Sequence, residues 1–132
     1  LRASGSFEAS TLDLLAQEVV IMTMATRNGC HLCVAMHTAR LKAIGADSGT
    51  IAALRAAAPL DDPRLAALQQ FTVRVLDTTG QVDDDELKAF VDAGFTPRNA
   101  LEVVLGIGAY TMSTFANRLV RAPLDESLQA FA

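Results

Sequence analysis

The sequence predicts an all-α protein, a bundle of about six helices. Three observations carry this. No stretch alternates apolar and polar residues with the period of two that a half-buried strand requires. Apolar residues instead recur at helical spacing, as in Leu65, Leu68, Phe71, Thr72, Val75 and Leu76. Ser, Asp and Pro also stand where those periodic segments begin, and Gly stands where they end.

Taken in order, Ser10 is expected to cap a first helix running through Thr11, Leu12 and Asp13 to about Arg27, where Asn28-Gly29 breaks it. A second helix opens around Cys30 and closes at Gly45. Asp47 or Ser48 caps a short third helix over residues 50–57. Pro59 to Pro63 form a turn, and Pro63 suits the first position of a fourth helix, which ends at Gly80. Asp83 caps a short fifth helix that stops before Gly94. Thr96-Pro97 starts a long last helix that reaches about Arg121, where Ala122-Pro123 ends it. The tail, residues 124–132, receives no assignment. No internal repeat or low-complexity linker divides the chain, so residues 1–132 are read as one domain. The chain opens on Leu1, which leaves room for a preceding segment.

Composition narrows the function. Hydrophobic residues make up 51% of the chain beside 20% charge, so part of the apolar surface is expected to pack against another copy of the chain. A net charge of −4, scarce aromatics and no Trp argue against nucleic acid, which calls for a basic face and stacking platforms. Two cysteines are too few for a secreted disulfide scaffold; their close spacing fits a catalytic or metal-binding role in a reducing, cytoplasmic compartment. No signal peptide or membrane span is read from the chain. The longest apolar run, residues 103–117, contains Gly106 and Gly108 and falls short of the roughly 20 residues a bilayer needs.

The chemistry concentrates in Asn28-Gly29-Cys30-His31-Leu32-Cys33-Val34-Ala35-Met36-His37. On a helix, at about 100° per residue, Cys33 lies about 60° from Cys30 and His37 about 20° away on the same side. Cys33 and His37 are four apart, the spacing at which side chains meet. A first-turn thiol also faces unsatisfied N–H groups and the positive end of the dipole, which favour a thiolate. Glu18 is the other unusual residue. Its neighbours on the helix face are Leu14, Leu15, Ile21, Met22 and Ala25, so its carboxylate points into apolar surroundings and needs a partner. The Asn28-Gly29 turn folds the second helix against the first, which would let Glu18 meet His37 and form a carboxylate–imidazole–thiol relay.

Rival readings attach to the same residues. Cys30, Cys33 and His37 could ligate zinc if Glu18 or His31 completed the set. The cysteines could be small core residues, and Glu18 a solvated one. His31 lies about 100° from Cys30, off the thiol face, as a partly exposed residue that raises local positive character. Asp83-Asp84-Asp85-Glu86 is explained as favourable charge in a helix first turn. Gly106-x-Gly108 lacks a preceding strand and reads as small residues that let two helices approach. Met22, Met24, Met36 and Met112 read as core or interface filler. A thioredoxin-type motif needs a βαβ context, absent from this pattern.

At these residues the chain resembles the AhpD-like branch of the carboxymuconolactone decarboxylase superfamily. That branch places a Glu on one helix, then Cys-x-x-Cys, then His; here these are Glu18, Cys30-His31-Leu32-Cys33 and His37. The flanking Asn28-Gly29 and Ala39-Arg40-Leu41-Lys42-Ala43-Ile44-Gly45 are similar too, and the likeness covers about residues 12–54. Downstream, residues 101–119 resemble a peroxidase-like subgroup more loosely. The resemblance implies an all-helical subunit assembled as a trimer or hexamer, without an organic cofactor. It also implies reduction of small hydroperoxides, or disulfide reduction in a peroxidase system, with an external dithiol or a thioredoxin-like or lipoyl donor. By resemblance, Cys33 attacks peroxide, Cys30 resolves, His37 accepts the proton and Glu18 polarises it. Helix-start logic alone favours Cys30 as the attacker; contact with His37 favours Cys33. Some members carry His just before the second Cys, where this chain has Leu32, so a relay through that His would be altered or absent. The competing functions are a metal-binding helical protein, a redox-responsive oligomer without turnover, and a decarboxylase or lyase of the same superfamily.

Overall fold

Side-chain acceptors start most of the helices. In the computed structural model, which describes residues 2–132, the elements run α1 (Arg2–Glu8), α2 (Leu14–Arg27), α3 (His31–Ala43), α4 (Ser48–Arg55), α5 (Pro63–Thr78), α6 (Asp84–Asp92) and α7 (Pro97–Leu119), then a 3-10 segment (Glu126–Phe131). The carboxylates of Asp13, Asp47, Asp62 and Asp83 and the hydroxyl of Thr96 each accept an orphan first-turn N–H. Asp83 with Glu86, and Thr96 with Asn99, close reciprocal capping boxes. Pro63 and Pro97 occupy the first turns of α5 and α7, where no N–H is needed. Among the described residues there is no strand.

The centre of the bundle is α2. Every residue from 16 to 25 is buried, because α1, α3, α4, α5 and α7 all pack on it. A helix enclosed on all sides has no solvent face to carry a polar residue, so each polar group it holds must find a partner inside. Gln17 does so by donating to Glu8 O and Leu12 O at 3.1 and 2.9 Å. Ile21, Met22, Met24, Leu41, Leu54, Leu68 and Phe90 fill the core around it. Phe90 stacks between Phe71 and Phe95, with centroids 4.1 and 4.6 Å apart, and joins α5, α6 and the turn before α7.

Two parts of the chain differ from expectation. The helix expected at Ser10 begins at Leu14, with Asp13 as its cap. Thr11 is held instead by Glu102, ninety-one positions away, which accepts from the Thr11 N–H at 2.7 Å and the Thr11 hydroxyl at 2.5 Å. That long-range carboxylate outcompetes a local Ser cap. Upstream, α1 adds a helix whose Phe7 is fully buried. Gly106 on α7 makes room for it: a Cβ there would lie 2.7 Å from the Phe7 ring. Gly108 meets nothing within 4 Å, so only the first of the two glycines serves close approach. The tail docks its 3-10 segment on α3, and Arg55 at the end of α4 donates to Phe131 O and Ala132 O at 2.8 and 2.9 Å. No described helix is long and apolar enough to cross a membrane.

Candidate active site

The turn between α2 and α3 sets the site. Asn28 ends α2, Gly29 takes φ +63°, and Cys30 returns to extended backbone as the N-cap of α3. A positive φ costs glycine nothing, and it reverses the chain within two residues. As N-cap, Cys30 uses sulfur where Ser or Asp would use oxygen: its Sγ accepts the Cys33 N–H at 3.3 Å. This single contact places both sulfurs at the start of α3, and they are joined as a disulfide with Cα atoms 5.3 Å apart. Cys30 and Cys33 are 2% and 3% exposed, so any reagent must reach them through a narrow opening.

The end of α7 clamps this turn. Asn28 Nδ2 donates to Thr114 Oγ1 at 2.9 Å, and an Arg118 amino group donates to Asn28 O at 2.7 Å. Between them, Asn117 Nδ2 lies 3.4 Å from Cys33 Sγ and 4.0 Å from Cys30 Sγ. An amide N–H aimed at sulfur stabilises a thiolate more than a thiol or a disulfide, since only the thiolate carries a full charge. Sequence reasoning missed Asn117. Nothing local marks it, because it reaches the cysteines from 84 positions away.

One turn along α3 from Cys33, His37 is buried and its Nδ1 lies 2.7 Å from Glu18 Oε2. An ionised carboxylate only accepts, so Nδ1 carries the proton and Nε2 is left as the basic nitrogen. Arg40, on the same face of α3, places Nε 3.0 Å from Glu18 Oε1 and an amino group 3.3 Å from Glu8. The Arg40 contact neutralises charge without hydrogen-bond alignment, so Oε1 is buried with an ion pair but no in-line donor. Arg40 answers a question the sequence poses, since a buried glutamate needs a cation and residue 40 is one turn from His37. The third group at this position is Tyr110, whose ring meets that of His37 edge-on at 5.6 Å. Burial, reinforced by the carboxylates of Glu8 and Glu18 and opposed by Arg40, pushes the Tyr110 phenol above its ordinary range and keeps it protonated.

Of the residues singled out from sequence, Cys30 with Cys33 and Glu18 with His37 are each brought into direct contact. His31 is exposed and lines a cleft of about 320 Å³ that Cys30 also lines. Among the described residues, no three His, Cys, Asp or Glu side chains converge as metal ligands. The arrangement can therefore do three things: hold a disulfide, hold a thiolate beside an amide donor once that disulfide opens, and move a proton through an imidazole backed by a carboxylate.

Comparison with known proteins places the family and the fold. The sequence profile of the carboxymuconolactone decarboxylase family matches residues 2–73, which include α1 to α4, both cysteines, Glu18 and His37. No curated protein matches the sequence. Solved structures share the fold, among them the following three. The chain is similar to an alkylhydroperoxidase AhpD core, an uncharacterised peroxidase-related protein of Ralstonia eutropha JMP134, with TM-score 0.82 and 18% identity over 96% of this chain and 71% of that one. An Agrobacterium tumefaciens protein, a proposed antioxidant defence protein AhpD, aligns with TM-score 0.78 and 17% identity over 94% and 86% of the two chains. A peroxidase-related protein of Silicibacter sp. TM1040 aligns with TM-score 0.78 and 18% identity over 94% and 71%.

Proposed function

The chain belongs to the carboxymuconolactone decarboxylase family, with an AhpD-like fold, and from that premise we propose that it is a thiol-dependent reductase of small hydroperoxides. The observation that carries the reading is the pairing of Cys30 with Cys33 on the helix that also presents His37, hydrogen-bonded to buried Glu18. A carboxylate behind an imidazole one turn from a thiol is the arrangement that nucleophilic catalysis uses to move a proton. A lyase acting without thiols would have no use for the cysteine pair.

In the reduced protein, His37 Nε2 takes the proton of one thiol, and Glu18 stabilises the imidazolium that results. The Cys33 thiolate attacks the O–O bond. An S–O bond forms, the O–O bond breaks, and the alkoxide leaves as an alcohol with a proton returned from His37. Cys30 then gives up its thiol proton and attacks the Cys33 sulfenic sulfur; the S–S bond forms, the S–O bond breaks, and the departing hydroxide takes that proton and leaves as water. An external dithiol, in this proposal a small thiol or a thioredoxin-like or lipoyl donor, restores the pair by exchange and is itself oxidised by two electrons. Asn117 supports Cys33 as the attacker, since its Nδ2 is 0.6 Å nearer to that sulfur (4.0 against 3.4 Å).

The same reading includes assembly from several copies. Leu101, Val104, Met112, Phe115 and Leu119 form an exposed apolar stripe along α7, and Leu101 and Leu119 are 73% and 85% exposed. A trimer or hexamer that covered this stripe would also cover the helix carrying Asn117.

The test is a thiol count on reduced, metal-free protein given one equivalent of an organic hydroperoxide. The expected result is loss of both thiols with matching peroxide consumption, and a peptide linked through Cys30 and Cys33. Cys33→Ser abolishes turnover in this scheme, while Cys30→Ser permits one oxidation and then stalls. Survival of both thiols with the peroxide intact would end the peroxidase reading and leave slow, non-catalytic oxidation or metal binding to be examined.

A further inference from the structure

The two sulfurs stand in different surroundings, and the start of α3 favours Cys30. As the N-cap, Cys30 already accepts the Cys33 N–H at 3.3 Å, so a thiolate there would sit at the positive end of the helix. Cys30 also lines the cleft of about 320 Å³ beside the turn, and Cys33 does not. Asn117, on α7, opposes this preference. Its Nδ2 lies 3.4 Å from Cys33 Sγ but 4.0 Å from Cys30 Sγ. Only the NH2 end of an amide donates, and a carbonyl oxygen in that place would repel a thiolate.

The position of Asn117 is enforced from both sides. Thr114, one turn earlier and fully buried, accepts from the Asn28 side chain at 2.9 Å. Arg118, the next residue, donates to Asn28 O at 2.7 Å. The two ties hold the end of α7 on the turn that carries Cys30, and the side chain between them meets the sulfurs. The Asn117 backbone is occupied separately, since its carbonyl accepts the Ala122 N–H at 2.9 Å. Among the described residues its Nδ2 donates to no other side chain. Asn is a poorer helix former than Ala or Leu, so the helix itself gives no reason for it here.

We propose, on the thiol-redox reading above, that Asn117 is a catalytic residue whose amide selects Cys33 rather than Cys30 as the attacking sulfur. As the Cys33 thiol gives its proton to His37, the N–H bond to Sγ strengthens, because a donor holds a charged acceptor more tightly than a neutral one. The thiolate attacks the peroxide; the S–O bond forms, the O–O bond breaks, and the negative charge passes to the departing oxygen. That oxygen takes the proton back from His37 and leaves as an alcohol. One hydrogen bond to a charged sulfur raises the thiolate share by about tenfold. A better stabilised thiolate is also a weaker nucleophile, and with a Brønsted slope of about 0.5 the net gain in rate is about threefold. The site thus draws one working group from α7, beyond those that α2 and α3 supply.

Site-resolved alkylation tests the selection without peroxide. Fully reduced, metal-free full chain receives a small amount of iodoacetamide, a neutral reagent, and mass spectrometry follows the carbamidomethyl group on Cys30 and on Cys33 separately. Asn117→Leu keeps the bulk and removes the donor; it should slow Cys33 about threefold and leave Cys30 within about 1.5-fold. Asn117→Asp keeps the shape and puts a carboxylate beside the sulfur, which should slow Cys33 further, by roughly tenfold. Thr114→Val is the control for a merely structural role, since it cuts the tie to Asn28 and spares the amide; Cys33 should stay within about 1.5-fold of the parent. An unchanged Cys33 rate in both Asn117 variants would overturn the proposal, as would equal slowing of the two cysteines or a Thr114→Val effect as large as that of Asn117→Leu. In a Cys30→Ser background, the single oxidation of Cys33 by an organic hydroperoxide should slow about threefold with Asn117→Leu. Failure of the reduced parent to consume peroxide would end the peroxidase reading, and the alkylation rates would still decide whether Asn117 selects Cys33.

Discussion

Replacing Glu18 by Gln isolates the charge that the site depends on. The two side chains match in shape, and Gln can still accept the His37 Nδ1–H through its amide oxygen. What disappears is the negative charge 2.7 Å from the ring and 3.0 Å from Arg40. When His37 takes a thiol proton it becomes a cation, and in a setting of effective dielectric near 20 a carboxylate about 4 Å away stabilises that cation by roughly 4 kcal/mol. A neutral hydrogen bond recovers on the order of 1 kcal/mol of this. The net loss of about 3 kcal/mol in the proton-transfer step corresponds to a fall of roughly 100- to 200-fold in peroxide turnover. Stability should change far less. Arg40 is partly exposed and keeps its contact with Glu8, so no cation is stranded in the core. A loss of about 1–2 kcal/mol, a few degrees in Tm, is expected. The assay pairs peroxide consumption under excess dithiol with a thermal melt of the same sample. A folded Glu18→Gln protein within threefold of the parent rate would refute the relay, because the charge would then be present and idle.

The remaining predictions concern the frame around the site. Burial raises the Glu102 carboxyl most strongly as a single effect, but the Thr11 hydroxyl and N–H, the Asn99 amide and Arg98 together outweigh it and hold the group below its ordinary range. A depressed carboxyl contributes stability above its unfolded value and loses it as pH falls through its folded value, so Glu102→Gln should cost about 2 kcal/mol at pH 7 and progressively less below about pH 4 in urea titrations. Gly106→Ala and Gly108→Ala should have opposite signs in the same assay. The first drives a Cβ to 2.7 Å from the buried Phe7 ring and should destabilise by about 1–2 kcal/mol despite better helix propensity, whereas the second meets nothing within 4 Å and should stabilise by up to about 1 kcal/mol. Leu101→Arg with Phe115→Arg should convert an oligomer into a monomer by light scattering; a parent protein that is already monomeric would remove assembly from the proposal.

The local sequence was sufficient for whatever depends on neighbours along the chain. Asp47, Asp83, Thr96, Pro63 and Pro97 start helices because a cap or a first-turn proline acts within four residues of itself. Cys33 and His37 share one face of α3 because the helical period places them there, while Cys30 stands just outside the helix as its extended N-cap. Glu18 was conspicuous for a similar reason, as a charge on a helix with no polar face to carry it. The start of α2 and the α1 helix escaped because long-range contacts decide them: Glu102 captures Thr11, and Gly106 admits Phe7. Tertiary packing alone decided that Asn117 faces the sulfurs, that Arg40 neutralises Glu18, and that Arg118 and Arg121 line one cleft with Cys30. These groups lie on separate helices, and only the docking of α7 and α3 against the enclosed α2 brings their charges within a few ångströms, where electrostatic interactions are strong enough to tune a thiol.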